Sequence, residues 1–216
     1  MKKINYTILI FITTIVVISI FGLDIKLESF FFDKTGSAWM YGDFFLWKFL
    51  YRYGQKISLL IGIISFIIFT LSLFIKKLAS AKNKALFLVL VLLIAPGFIV
   101  QTLKVTWGRP RPREIVNYGG ALEFRTPFEP NFNSSMSTKT GNSFPGGHAA
   151  TGFYTIALYS VFRKRWLLAL TIAYGTLMSV ARMAQGAHFL SDVVSSFFIV
   201  YICIELFEFL LVKKQK

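Results

Sequence analysis

Between two strongly apolar stretches the sequence reads ARMAQGAHFLSD, which places Arg182, His188 and Asp192 at the edge of segments that otherwise exclude charge. If the chain is helical from about residue 186 onward, His188 and Asp192 stand at i and i+4 and share one face. The carboxylate then accepts a hydrogen bond from one ring nitrogen, fixes the tautomer and leaves the other nitrogen to act as base or nucleophile. Arg182 contributes a permanent cation whose planar fork of donors suits phosphate oxygens. Taken alone, the trio reads equally well as a satisfied polar cluster.

Two more groups carry the same kind of chemistry. Lys104 is followed by Arg109, Arg111 and Arg113, alternating with Pro110 and Pro112. Proline fixes its own φ and drives the residue before it toward extended backbone, so the arginines are held on a stiff, non-helical strand. Four cations this close repel one another unless an anion sits among them. A basic patch for lipid headgroups is the plainer reading, but such patches normally face the cytoplasm, and a phosphate site is favoured here. Arg109 and Arg113 are candidate substrate contacts. Further on, Pro145, Gly146, Gly147 and His148 open an apolar segment. The glycines let backbone N–H groups approach an anion, a helix N-terminus supplies unpaired donors, and His148 reaches the same anion.

The elements that must hold these groups are membrane helices. The chain has 216 residues, 55% of them hydrophobic, with a mean hydropathy of +0.62. That is too apolar for a soluble domain and implies one integral membrane domain over residues 1–216. Apolar segments at 4–23, 57–75, 85–103, 148–162, 166–180 and 189–212 predict an all-α bundle of six transmembrane helices, about 20 residues being needed to cross a ~30 Å layer. The two shorter ones, 148–162 and 166–180, are expected to extend into the flanking polar sequence. The first, behind Lys2 and Lys3, is read as a retained helix and not a cleaved signal. Pro96 and Gly97 predict a kink in the third helix. Cys203, alone in mid-helix, forms neither an internal disulfide nor a cysteine metal site.

The net charge of +14 does not point to nucleic acid, because of how it is distributed. The termini and short connections that share one side, at Lys2 and Lys3, Lys76 to Lys84, Arg163 to Arg165 and Lys213 to Lys216, hold bases and no acid. The longer connections mix bases with eight acids, among them Asp24, Glu28, Asp43 and Glu114. By the positive-inside rule both termini are cytoplasmic, and the long loops, with all three polar groups, face outward. Residues 24–56 form an outer amphipathic segment rich in aromatics, including Trp39, Trp47 and Tyr51. It reads as an ordinary interfacial belt or as a platform beside a lipid entrance. Residues 104–147 form an outer loop carrying the first two polar groups, and its Ser/Thr/Asn-rich run at 131–140 is a candidate for headgroup contacts.

In spacing and order these motifs resemble those of the membrane-bound type 2 phosphatidic acid phosphatase (PAP2) superfamily. Its signature is Lys-x6-Arg-Pro, then Pro-Ser-Gly-His, then Ser-Arg-x5-His-x3-Asp. Lys104 with Arg111 and Pro112 matches the first, and Arg182, His188 and Asp192 match the third. Two family serines are replaced, by Gly146 and Ala181. The resemblance implies a six-helix bundle with its active site at the outer membrane–water boundary. It implies that His188 attacks phosphorus to form a phosphohistidine, that Asp192 orients it, and that His148 protonates the leaving oxygen and then activates water. It further implies that Lys104, Arg111, Arg182 and the N–H groups around Gly146 and Gly147 bind the phosphate, with no metal and no cofactor. The runs WGRPRPREIVNYGG and RMAQGAHFLSDVV are similar to the branch of bacterial lipid A phosphatases of 4′ type. The expected partner is thus a phosphorylated lipid in the bacterial inner membrane, hydrolysed at its periplasmic face, with oligomeric state left open. Undecaprenyl pyrophosphate, phosphatidylglycerol phosphate and phosphatidic acid remain alternative substrates, lipid-to-lipid phosphotransfer an alternative reaction, and non-catalytic anion binding or conduction an alternative class.

Overall fold

A computed structural model of the chain describes residues 2–35, 37–132 and 141–212. Most of the 131–140 run, and Lys213, Lys214 and Lys216 of the C-terminal basic cluster, lie outside the described residues. The order of elements is α1 (Lys2–Ile20), α2 (Leu23–Glu28), a two-stranded antiparallel ribbon of β1 (Phe32–Asp33) and β2 (Ala38–Trp39), then α3 (Phe45–Ser72) and α4 (Lys76–Thr106). After a long connection with short 3-10 turns at Pro112–Glu114 and Val116–Tyr118 come α5 (Gly147–Tyr154), α6 (Ala157–Phe162), α7 (Arg165–Ala184) and α8 (Leu190–Val212).

Five helices, α1, α3, α4, α7 and α8, are long and apolar enough to cross a membrane. The fourth expected segment departs from that picture, because 148–162 is divided between α5 and α6. Thr155 turns its Oγ1 back to the Gly152 carbonyl at 2.7 Å at the break, an alternative partner that competes with the helical ladder. The second helix also starts earlier than its apolar run, at Phe45, so part of the aromatic segment belongs to α3. Around Pro96 the ladder of α4 widens to π geometry over Leu93–Ile99, the backbone's response to a proline that cannot donate.

The core is where α4, α5, α7 and α8 meet, with Phe87, Val91, Ala149, Tyr154, Met183 and Val200 among its buried residues. Helices α5 and α7 pack closely because both carry glycine at the crossing. A Cβ on Gly152 would come within 3.1 Å of Gly175 Cα. Helix α1 lies against α8, where Phe11 stacks on Phe198 and Lys3 pairs with Glu205 at 2.9 Å. Glu208 is bound by Arg163 at 2.6 Å and by Ser160 at 2.8 Å. Thus both acids of α8 near the basic clusters have partners at that end of the bundle.

The aromatic segment divides in two. Phe32 and Trp39 of the ribbon turn inward, onto Tyr118, Ile115 and Phe189, and form a small second core. Phe44, Phe45, Phe49 and Tyr53 stay exposed along α3. The ribbon thereby clamps the connection between α4 and α5 over the end of the bundle opposite Glu205 and Glu208.

Candidate active site

Four helix ends converge there. Lys104 lies in the last turn of α4, Gly147 opens α5, Arg182 lies in the last turn of α7, and Asp192 lies in the first turn of α8. A Cβ on Gly147 would stand 3.6 Å from Lys104 Nζ, and one on Gly146 would stand 3.6 Å from His188 Cγ. Lys104 and Arg182 are close enough for their charges to act on both histidines. A cleft of about 550 Å³, lined by Trp39, Lys48, Tyr51, Arg111, Arg113 and Arg182, opens beside them. The three motifs therefore form one site.

The pairing of His188 differs from the sequence expectation. Helix α8 starts at Leu190, so His188 precedes it on extended chain and the i, i+4 helical geometry does not apply. Its Nδ1 meets the backbone carbonyl of Ser143 at 2.7 Å, while Asp192 Oδ2 is 3.6 Å away, beyond a normal hydrogen bond. A carbonyl only accepts, so Nδ1 carries the hydrogen and Nε2 keeps its lone pair. Burial is the main influence that pulls His188 down to about 4, helped by Arg182 and Lys104 and opposed by Asp192. The ring is neutral at pH 7, with a free lone pair on Nε2.

Asp192 is occupied on every side. Its Oδ2 accepts the Phe189 N–H at 2.8 Å, the N3 carboxylate closing back on the helix start, and also accepts the Ser143 hydroxyl. Its Oδ1 is held by Arg109. Asp192 and Ser143 together fix His188, one by charge and one by hydrogen bond.

Arg109 is a correction. The sequence makes it a candidate substrate contact, but its side chain has no exposed surface, and all three nitrogens are engaged within the protein. Arg113 does face the cleft. Arg111 lies between them in depth. Burial, then the neighbouring Arg113, hold it below the ordinary arginine range, the electrostatic mark of a site that favours an anion.

His148 stacks on Tyr51 at a centroid distance of 5.0 Å, and its Nε2 donates to the Tyr51 carbonyl at 3.2 Å, leaving Nδ1 for proton transfer. Arg182 lies 4.6 Å over the other part of this arrangement, the Tyr51 ring, and bonds Gln185 at its Nη1. Tyr51 sits in the π turn Leu50–Gly54 of α3, which re-aims the helix at this point.

The serine replacements have different settings. Ala181 is buried against Leu50 and Met178, where a hydroxyl would face apolar neighbours. Gly146 has ordinary extended backbone, and a Cβ there would make only van der Waals contacts of 3.4 Å or more, so a serine side chain could be accommodated. Ser196 instead reaches this turn, donating to the Gly146 carbonyl at 3.0 Å. Sequence reasoning missed Ser143, Tyr51, Ser191 and Asp24. Ser143 could have been found from its place in the glycine-rich motif. Tyr51 is marked only by its place in the aromatic segment, and Ser191 and Asp24 carry no local signal.

The family model of the PAP2 superfamily matches residues 85–215, which include every motif residue above. The chain belongs to the PAP2 superfamily. Among its relatives, a lipid A 4′-phosphatase of Francisella tularensis subsp. novicida (strain U112) is 35% identical over 188 residues, 84% of this chain and 82% of that protein. A lipid A 4′-phosphatase of Rhizobium leguminosarum is 37% identical over 109 residues, 48% of this chain and 44% of that protein. No solved structure matches the chain with significance. As a PAP2 protein with these relatives it is a lipid phosphatase by class, and its long apolar helices make it a membrane protein.

Proposed function

We propose that this PAP2 protein removes the 4′-phosphate of lipid A by way of a phosphohistidine on His188. The reaction would take place at the periplasmic face of a bacterial inner membrane, with both termini in the cytoplasm. The observation that carries the chemistry is the Nδ1 contact of His188 with the Ser143 carbonyl at 2.7 Å, which leaves Nε2 unprotonated beside the cations. The substrate is taken from the relatives' names, and the side of the membrane from the purely basic short connections.

In the first step the Nε2 lone pair attacks phosphorus while Lys104, Arg111 and Arg182, with N–H groups around Gly146 and Gly147, hold the equatorial oxygens. The bond from phosphorus to the sugar oxygen breaks, its electron pair stays on that oxygen, and His148, which burial and Arg182 hold down to about 3 before substrate binds, delivers through Nδ1 a proton it takes up as the phosphate dianion offsets the surrounding cations. The His188 ring now carries phosphorus on Nε2, a proton on Nδ1 and a positive charge beside Asp192. In the second step Nδ1 of His148 takes a proton from water as its oxygen attacks phosphorus. The N–P bond breaks, its pair returns to Nε2, and inorganic phosphate leaves.

A groove of about 460 Å³ between α3 and α4 supports a lipid substrate. It runs from Leu59, Leu92 and Pro96 to Arg52, Gln55 and Gln101, offering an apolar length to an acyl chain and polar groups to a head. Purified protein assayed with lipid A, undecaprenyl pyrophosphate, phosphatidylglycerol phosphate and phosphatidic acid tests the reading. Mass spectrometry of the products should show the 4′-phosphate of lipid A released at least about tenfold faster than phosphate from the others, in chelating buffer. Preference for a glycerol or prenyl lipid would overturn the substrate assignment. Transfer of labelled phosphate to a second lipid, in place of free phosphate, would overturn hydrolysis.

A further inference from the structure

Beneath His188, Asp192 belongs to a buried ion network whose other members, Arg109, Asp24 and Ser191, have no part in the phosphatase chemistry above. Arg109, Asp24, Ser191 and Asp192 are all 2% exposed or less. The Arg109 guanidinium donates through Nε to the Arg125 carbonyl at 2.8 Å, through Nη1 to Ser191 Oγ at 2.7 Å and to Asp192 Oδ1, and through Nη2 to Asp24 Oδ2 at 2.7 Å. Ser191 closes the ring, its N–H donating to Asp24 Oδ1 at 2.8 Å and its hydroxyl to Asp24 Oδ2 at 2.6 Å. The guanidinium also lies 4.5 Å from the Phe189 ring centroid.

Counting charge gives this network its meaning. Two carboxylates around one guanidinium leave a net charge of −1 in a place where an uncompensated charge is costly. Glu28, fully buried nearby and with no hydrogen-bond partner on either oxygen, does not add to it. Burial, then the charges of Asp192 and Asp24, raise its carboxyl well above the usual range, so that it stays neutral. His188 at rest is neutral too, 3.6 Å from Asp192. A positive charge appears only when Nε2 bonds to phosphorus. Without Asp24, Arg109 would cancel Asp192, and the new cation would form beside a network of zero charge.

We propose that Asp24 is a positioning residue that acts through the charge of Arg109, keeping the network beneath His188 one charge negative so that the phosphohistidine cation is compensated. Asp24 stands outside the family-matched residues 85–215, at the head of α2, and contributes to the chemistry of a site that its own side chain does not touch. The inference rests on His188 being the nucleophile.

The test uses the full-length protein and compares kcat, KM and acid-labile phosphoenzyme in the wild type, Asp24→Asn, Asp24→Glu, Glu28→Gln and the double variant Asp24→Asn/Arg109→Gln. Asp24→Asn should lower kcat about 30-fold or more and deplete phosphoenzyme while KM changes less than about threefold, the pattern of a group felt in the reacting state. Asp24→Glu should restore much of the loss, and Glu28→Gln should stay near the wild type. The double variant returns the network to −1 and should recover kcat relative to Asp24→Asn, whereas a merely structural network would leave it as slow or slower. Wild-type kcat in folded Asp24→Asn, or no recovery in a folded double variant, overturns the proposal. Should Asp24→Asn not fold, Ser191→Ala decides, since it keeps every charge and removes hydrogen bonds. Its kcat should fall less than about tenfold, and a larger fall with KM unchanged would show that hydrogen bonding, not charge, matters. Failure of the nucleophile reading would look different, as wild type without phosphoenzyme or His188→Ala with full turnover.

Discussion

His188 is held by two neighbours with different tasks. The Ser143 carbonyl fixes the tautomer by a hydrogen bond of 2.7 Å, and Asp192 supplies negative charge at 3.6 Å. Because burial holds the ring down at about 4, the folded protein stays unprotonated at His188 while an unfolded chain takes up a proton near pH 6.5. The unfolded state therefore binds more protons between these values, and stability contributed by this group falls as pH drops from 6.5 toward 4. At pH 5 the loss is about 2 kcal/mol. The groups facing the ring are Asp192, Arg182, Lys104 and His148. Thermal unfolding in detergent should show a larger drop in midpoint from pH 7 to pH 5 for the wild type than for His188→Asn. Equal drops would show that His188 does not remain neutral in the fold.

At the scale of elements, the ribbon β1–β2 and the turn before α8 hold each other in place. Gly186 has φ +60, a conformation that side chains rarely adopt, and its carbonyl accepts the Arg113 N–H at 3.0 Å. A Cβ there would fall 2.3 Å from the Trp39 ring. Gly186→Ala should lower stability by about 2 kcal/mol or more and cut turnover, because displacing Trp39 or the turn moves Arg113 and His188 together. A melting midpoint and kcat both equal to wild type would show that ribbon and site are independent. These dependencies explain what could and could not be foreseen. The helices carry their signal in continuous apolar runs, and the motif residues in their spacing, so both were legible. The buried network behind Asp192 was not, because Arg109 reaches Asp192 from 83 positions away, Asp24 joins only through Arg109 and Ser191, and nothing local marks either. Nor does an apolar run announce that 148–162 will break at Thr155, or that Arg109, in a row of exposed-looking arginines, will be the one buried.

At the scale of the molecule, alternating helix directions bring the ends of α4 and α7 and the starts of α5 and α8 to one place. That geometry brings residues near 104, 147, 182 and 192 to a single basic site. Glu205 and Glu208 are paired with Lys3 and Arg163 at the far end, so the acids nearest the basic clusters are neutralised away from that site. The central claim is that phosphate passes through His188. Rapid-quench analysis with lipid A labelled in its 4′-phosphate tests it most directly. Wild type should carry acid-labile, base-stable label that maps to the peptide containing His188 and decays into free phosphate at the turnover rate, and His188→Ala should carry none and turn over at least about a thousandfold slower. Label on another residue, or turnover in His188→Ala at the wild-type rate, would contradict the account.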